Sequence, residues 1–294
     1  VHYAVTHRTT YGYASDVAVS HHLVHLRPRE LPWQQVTDFT LSVEPPAAAI
    51  AEERTDYHGN AANYFSVRHP HDRLVVTARS QVRVTRPALP DRTPPWQQVR
   101  DRCASDVLTP DSAVGEFRFD SPYITRKAAF AEYAAVSFPK DRPLLDGVID
   151  FTARIHREFR FDPRATTVAT PLDEVFKTRR GVCQDFAHFA VAGLRSLGLP
   201  ARYVSGYLET QPPPGKARLV GADASHAWFA VWCPGHGWID ADPTNNLLPG
   251  DRHITVAWGR DFGDVSPVRG VVVGGGGHRL GVSVDVARIT ETAA

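Results

Sequence analysis

Along residues 1–85, apolar and polar positions alternate with the period of two that a strand shows to its two faces. Phe39, Leu41 and Val43 alternate in FTLSV, and RLVVTARSQVRV is rich in valine and free of glycine and proline. EPPAAA and YHGN interrupt these runs with the residues of chain reversals. No unit recurs at 20 to 50 residues, so a repeat array is excluded. The pattern predicts one β-rich domain over 1–85. In TRPALPDRTPPW, residues 85–96, four prolines in twelve residues favour an extended connection. A linker and connecting segment is therefore expected over 86–121.

The period then changes. Leu144, Leu145, Val148, Phe151, Ile155 and Phe159 recur at helical spacing behind Pro143, which suits a first turn. A second stripe, Phe186, Phe189, Ala190, Gly193, Leu194 and Leu197, ends at Gly198 and Pro200. Cys183 then stands at or near the start of that helix. ARYVSGYLE, HAWFAVW and GWIDA read as strands, the last two joined by the hairpin signal CPGHG. HITVAW follows, and in VVVGGGGHRLGVSVDV four glycines separate two further runs. Residues 122–294 are expected to form a second domain, α+β, with helices packed on an antiparallel sheet and a C-terminal β-hairpin. A turn at Pro234 would set His226 directly opposite Asp242. A later turn would offset them, and alternation alone does not choose.

Composition narrows the class. The chain has 294 residues, 43% hydrophobic and 22% charged, which fits a globular protein and not a disordered one. No apolar run reaches the roughly 20 residues of a spanning helix, and polar residues interrupt VHYAVTHRTTYGYAS, so a cytoplasmic address is expected. Net charge is +1 with both signs interleaved, which points to neither nucleic acid nor an anionic membrane as partner. Three cysteines, Cys103, Cys183 and Cys233, are an odd count that fits reduced thiols better than a disulfide framework.

Cys183 carries the candidate chemistry. A cysteine ordinarily titrates near ~8.5, and the unpaired N–H groups of a helix start favour the thiolate and can hold an oxyanion. A nucleophilic thiol also needs a base, and the base an orienting group. SHAWFAVWCPGHGWIDADPT offers His226 on one strand and Asp240 or Asp242 on the next, the two acids sharing a face.

GVCQDFAHF, SHAWFAVW and GWIDADPT resemble, in this order, the three blocks of the transglutaminase-like superfamily. HRTTYGYASDVAVSHHLVHLRPRE and GRDFGDVSPVRGVVVGG are similar to segments flanking that core in a bacterial subgroup. The resemblance implies a papain-like core, Cys183 as nucleophile, His226 as base and Asp242 as its orienter. It implies a thiol-dependent acyltransferase or hydrolase without cofactor, acting on an amide or isopeptide of a peptide or protein. Cross-linker, peptidase and amidase all remain open, as does a second oxyanion donor beside the Cys183 N–H. Gln184, Asp185, His188, Trp228 and Asp240 are expected around the three. Asp185 in the first helical turn also suits the helix dipole, and His188 lies off the face that would pair it with Cys183.

Cys103 and Cys233 read as buried small hydrophobes. His21, His22 and His25 lack the partners of a zinc site, and no Lys-Ser/Thr pair follows Gly274–Gly277 as a phosphate loop requires. A rival class is a non-catalytic metal-binding or scaffold protein, in which Cys183 and His226, with or without Asp242, ligate zinc or merely hold a partner, although a fourth zinc ligand is not evident.

Overall fold

The computed structural model describes residues 1–50, 53–105, 110–210 and 225–289; the expected end of the second domain at 294 lies outside them. Alternation at the start of the chain builds β1 (His2–Val24), which buries Tyr3, Val5, His7 and Thr9 on one side. β2 (Gln34–Glu44), β3 (Ala61–Val67) and β4 (His71–Val84) complete the first region. All pair antiparallel. β4 runs between β2 and β1, and β3 flanks the second half of β1 from Ser20 to Val24.

The connecting segment is more structured than its prolines predict. α1 (Trp96–Ala104) starts directly after Pro95, and Trp96 and Val99 enter the core of the following region. The chain continues through α2 (Ala128–Ala135), α3 (Leu144–Glu158), α4 (Leu172–Thr178) and α5 (Cys183–Ser196). A second antiparallel sheet follows: β5 (Ala201–Leu208), β6 (Ser225–Cys233), β7 (Gly237–Ala241) and β8 (His253–Gly259), in the order β7-β6-β5-β8. Phe186, Phe189 and Ala190 of α5 share one core with Phe151 and Phe159 of the α3 region and with Phe229 and Val231 of β6. Each such fully buried phenylalanine contributes roughly 1.5–3 kcal/mol relative to an exposed one. α5 is thereby fixed across the sheet.

The C-terminal hairpin departs from expectation. β9 (Val268–Gly274) and β10 (His278–Arg288) pair with β1, against Val17–Val24 and Tyr3–Tyr13 respectively. They complete the first sheet instead of extending the second region. Alternation specifies which side of a strand is buried but not which edge it joins, so this partner was not legible locally. Tyr3, Val5, Val82 and Val84 of the first sheet, with Val284 and Val286 of the hairpin, pack on Tyr203, Tyr207, Ala227 and Ile254 of the second. Among the described residues, no helix is long and apolar enough to cross a membrane.

Candidate active site

Three local structures converge on Cys183. The first is the start of α5, where Asp185, 4% exposed, turns back and accepts the backbone N–H of Val182 at 2.8 Å. Thr166 Oγ1 donates to the same carboxylate oxygen at 2.6 Å. Burial raises the Asp185 pKa, and these two donors oppose that shift. Gly181 is required beside it, because a Cβ there would stand 2.5 Å from Asp185 Oδ2 and 2.8 Å from its Cβ. The GVCQD run thus encodes a capped helix start that presents the half-buried Cys183. Gln184 is half-buried in the same turn.

The second is the β6–β7 hairpin. Pairing of Phe229 with Ala241 and of Cys233 with Gly237 centres the turn on Gly235, one residue beyond Pro234. Extended by one position, that register sets Trp228 opposite Asp242, so His226 meets Asp242 on a diagonal. Diagonal cross-strand neighbours lie within reach of long side chains. His226 Nε2 and Asp242 Oδ2 are 2.7 Å apart, and Trp228 Nε1 donates to Asp240 Oδ2 at 3.1 Å along the parallel diagonal. Each acid therefore has its own partner. Gly206 lies opposite His226 on β5, where a Cβ would meet Ile254 O at 2.1 Å and the Trp228 ring at 2.6 Å.

The third is the loop after β7. Asp242 is 0% exposed, and its Oδ1 accepts the N–H groups of Thr244 at 2.9 Å and Asn245 at 3.2 Å, an Asx turn. Oδ2 accepts Asn245 Nδ2 at 2.7 Å and His253 Nε2 at 3.1 Å, in addition to His226. Burial would raise this carboxyl, but the hydrogen bonds from His226 and His253 outweigh it and hold the pKa well below the carboxylate range. For His226, burial works against the charged ring, yet hydrogen bonds to Asp242 and Cys183, with the charges of both, push its pKa up to about 10. Since Nε2 faces Asp242, Nδ1 is the ring nitrogen left for Cys183. His226 thus has the Asp242 carboxylate on Nε2, and Cys183 is the other group acting on its charge.

The other expected neighbours divide. Trp228 is fully buried with its ring centroid 6.0 Å from that of His226, and Asp240 is tied to it, its pKa raised chiefly by burial. His188 faces elsewhere: Nε2 accepts Phe262 N–H at 3.1 Å, the ring stacks on Tyr123, and burial lowers its pKa to about 4. Burial pushes the Cys233 thiol up to about 11, and Cys103 is half-buried. Asn245 and His253 were absent from the expected set. Asn245 was readable from DPTN as a turn-closing residue, whereas His253 arrives from β8 through sheet pairing that no local pattern announces. His226, Asp242 and His253 also bring three ligating atoms within 4.8 Å of one another. Both imidazole Nε2 atoms are spent on one carboxylate oxygen, and a closed structural zinc site needs a fourth ligand.

An uncharacterized protein of Mycobacterium tuberculosis is 42% identical over 296 residues, covering 97% of this chain and 92% of its own length. Residues 3–83 match the bacterial transglutaminase-like N-terminal region, and residues 134–243 match the transglutaminase-like superfamily. The chain belongs to the transglutaminase-like superfamily. A solved structure from Cytophaga hutchinsonii, described as a candidate cysteine protease, shares the fold of this superfamily member with a TM-score of 0.73. It is 21% identical, and the match covers 99% of this chain and 92% of that one. A protein-glutamine gamma-glutamyltransferase of Pseudomonas aeruginosa is 35% identical over 105 residues, 33% of this chain and 16% of that protein. The superfamily core, residues 134–243, contains Cys183, His226 and Asp242.

Proposed function

We propose that this protein is a thiol enzyme that cleaves or transfers the acyl group of a peptide or protein amide through an acyl-enzyme at Cys183. The observation that carries the reading is His226 held 2.7 Å from the fully buried Asp242, with the Cys183 thiol among the groups that push its pKa up. With its pKa pushed up by Asp242 and Cys183, His226 holds the proton that the reaction needs beside the sulfur. Sγ attacks the amide carbon, the carbonyl π pair moves onto oxygen, and the Cys183 backbone N–H is one donor for that oxyanion. When the C–N bond breaks, His226 gives its proton to the leaving amine and a thioester remains. Water or a second amine then loses a proton to His226 as it attacks. The C–S bond breaks and the thiolate returns.

Asp242 holds the ring and stabilises its charge throughout. The similarity to a gamma-glutamyltransferase favours amide donors, while hydrolysis and amine transfer share every step but the last. The test is alkylation by iodoacetamide at pH 6, with the labelled cysteine mapped. Cys183 is expected to react before Cys103 and Cys233, and His226→Ala to slow it at least tenfold in a protein of unchanged circular dichroism. Equal labelling of all three cysteines, or a rate indifferent to His226, would overturn the reading. A screen of peptide amides with and without a primary amine then separates hydrolysis from transfer.

A further inference from the structure

Strand alternation gives the second sheet two unlike faces. Phe229, Val231, Ile239 and Ala241 point into the core shared with α5. The intervening positions include Arg202, Trp232, Trp238, Asp240 and Trp258, and they line one side of a cavity of about 610 Å³. The other side comes from the first sheet and its connection, with Trp33, Tyr57 and the Pro87–Pro90 stretch among the lining residues. Cavities of roughly this size between two structural units are common small-molecule sites. Cys183, His226 and Asp242 do not line it.

Arg202 gives the cavity its chemistry. It is 4% exposed, and its guanidinium carbon lies 3.6 Å from the Trp258 ring centroid and 4.3 Å from that of Trp238. Arg29 lies 3.5 Å from the same Trp258 ring centroid. Arg202 Nε is buried without a hydrogen-bond partner. Among the described residues no carboxylate forms a salt bridge with it. Asp240, the acid nearest in charge, spends Oδ2 on Trp228. Burial pulls the Arg202 pKa down to about 9, Asp240 offsets this only in part, and Arg29 adds to it. Buried arginines are ordinarily paired. Stacking fixes this one in place and, among the described residues, leaves its Nε unpaired.

The walls decide what kind of anion fits. Indole rings, Leu31 and the prolines offer apolar area that a bare inorganic ion would leave uncovered, while an apolar body gains ~25 cal/mol for each Å² it removes from water. The nearby Asp240 charge disfavours a dianion. We propose that this cavity binds a small monocarboxylate with an apolar, ring-bearing body, its carboxylate on Arg202 and its ring among the indoles.

Calorimetric titration with 4-phenylbutyrate tests the site, with 4-phenylbutanamide and acetate as comparisons. Saturable binding of one 4-phenylbutyrate is expected, at least tenfold tighter than the amide, with no saturable binding of acetate. Trp33→Ala should weaken acid and amide alike, and Arg202→Gln should abolish the preference for the acid. Cys183→Ala should bind as the wild type does, so the result stands apart from the thiol chemistry. If circular dichroism shows that Arg202→Gln does not fold, the acid-amide contrast and Trp33→Ala still decide. Absence of saturable binding at millimolar 4-phenylbutyrate, equal affinity for acid and amide, or indifference to Trp33→Ala would overturn the proposal.

Discussion

Asp242 is buried completely, and five described donors converge on its two carboxylate oxygens. Such a carboxylate cannot rotate away from His226 without leaving several buried donors unpaired, each at about 1–3 kcal/mol. Asp240 lies two residues earlier, within β7, but its partner is an indole N–H and its pKa moves in the opposite direction, upward. Asp242→Asn is therefore expected to lower kcat on a peptide amide by about 10⁴-fold, the scale of a neutralised triad acid. Asp240→Asn should cost far less, and the reverse order in folded variants would refute the assignment. The same pair fixes a pH signature. His226 is raised from 6.5 to about 10, so its contribution to stability is complete below about 6.5 and fades as pH climbs through 10. Asp242 is depressed below 3.8, so its contribution holds above that value and is lost as the solution turns more acid. Thermal melts of wild type across this range should show both losses, and Asp242→Asn should flatten them.

At the scale of elements, the site is a helix start set against a hairpin, and most of each was readable in the chain. Helical spacing from Phe186 to Leu197 placed Cys183 at a helix N-terminus, and the alternation of HAWFAVW and GWIDA gave the two strands with the correct shared faces. The diagonal of His226 on Asp242 was open, because it depends on whether the turn centres on Pro234 or Gly235. α1 was hidden by the prolines before it: Pro94 and Pro95 end an extended stretch, yet Pro95 is also a suitable residue from which a helix departs. His253 was hidden for another reason. Its contact depends on β8 pairing with β5, a choice of edge made by the whole sheet. Gly206 joins these elements, since it faces both His226 on β6 and Thr255 on β8. Adding a methyl group there forces both the Ile254 carbonyl and the Trp228 ring to give way. Gly206→Ala is expected to destabilise the protein by about 1–3 kcal/mol. It should also slow Cys183 alkylation, because Trp228 lies against His226. Unchanged chemical denaturation midpoints and alkylation rates would show that the sheet absorbs the methyl without disturbing the site.

For the whole molecule, the return of β9 and β10 to β1 makes the two ends of the described chain parts of one sheet, with the superfamily core inserted between them. Tyr3 and Arg288 both reach Glu209 at the end of β5, Tyr3 Oη at 3.2 Å and Arg288 through two contacts at 2.5 and 2.7 Å. Cys183 packs against the same apolar cluster that joins the two sheets. The first sheet and its hairpin supply Tyr3, Val5, Val82, Val84, Val284 and Val286 to that cluster. At roughly 1.5–3 kcal/mol per fully buried large apolar side chain, their combined contribution is comparable with the ~5–15 kcal/mol that stabilises an ordinary domain. A fragment spanning 96–265 is thus expected to expose Tyr203, Tyr207, Ala227 and Ile254, and to lose both cooperative unfolding and the fast alkylation of Cys183. The intact chain should instead unfold in one transition, with tryptophan fluorescence and far-ultraviolet circular dichroism coinciding. A monomeric fragment that melts cooperatively and keeps the full-length alkylation rate would show that the first sheet is separable from the site. Loss of the rate in a fragment that still melts cooperatively would assign the sheet a direct part in positioning the thiol.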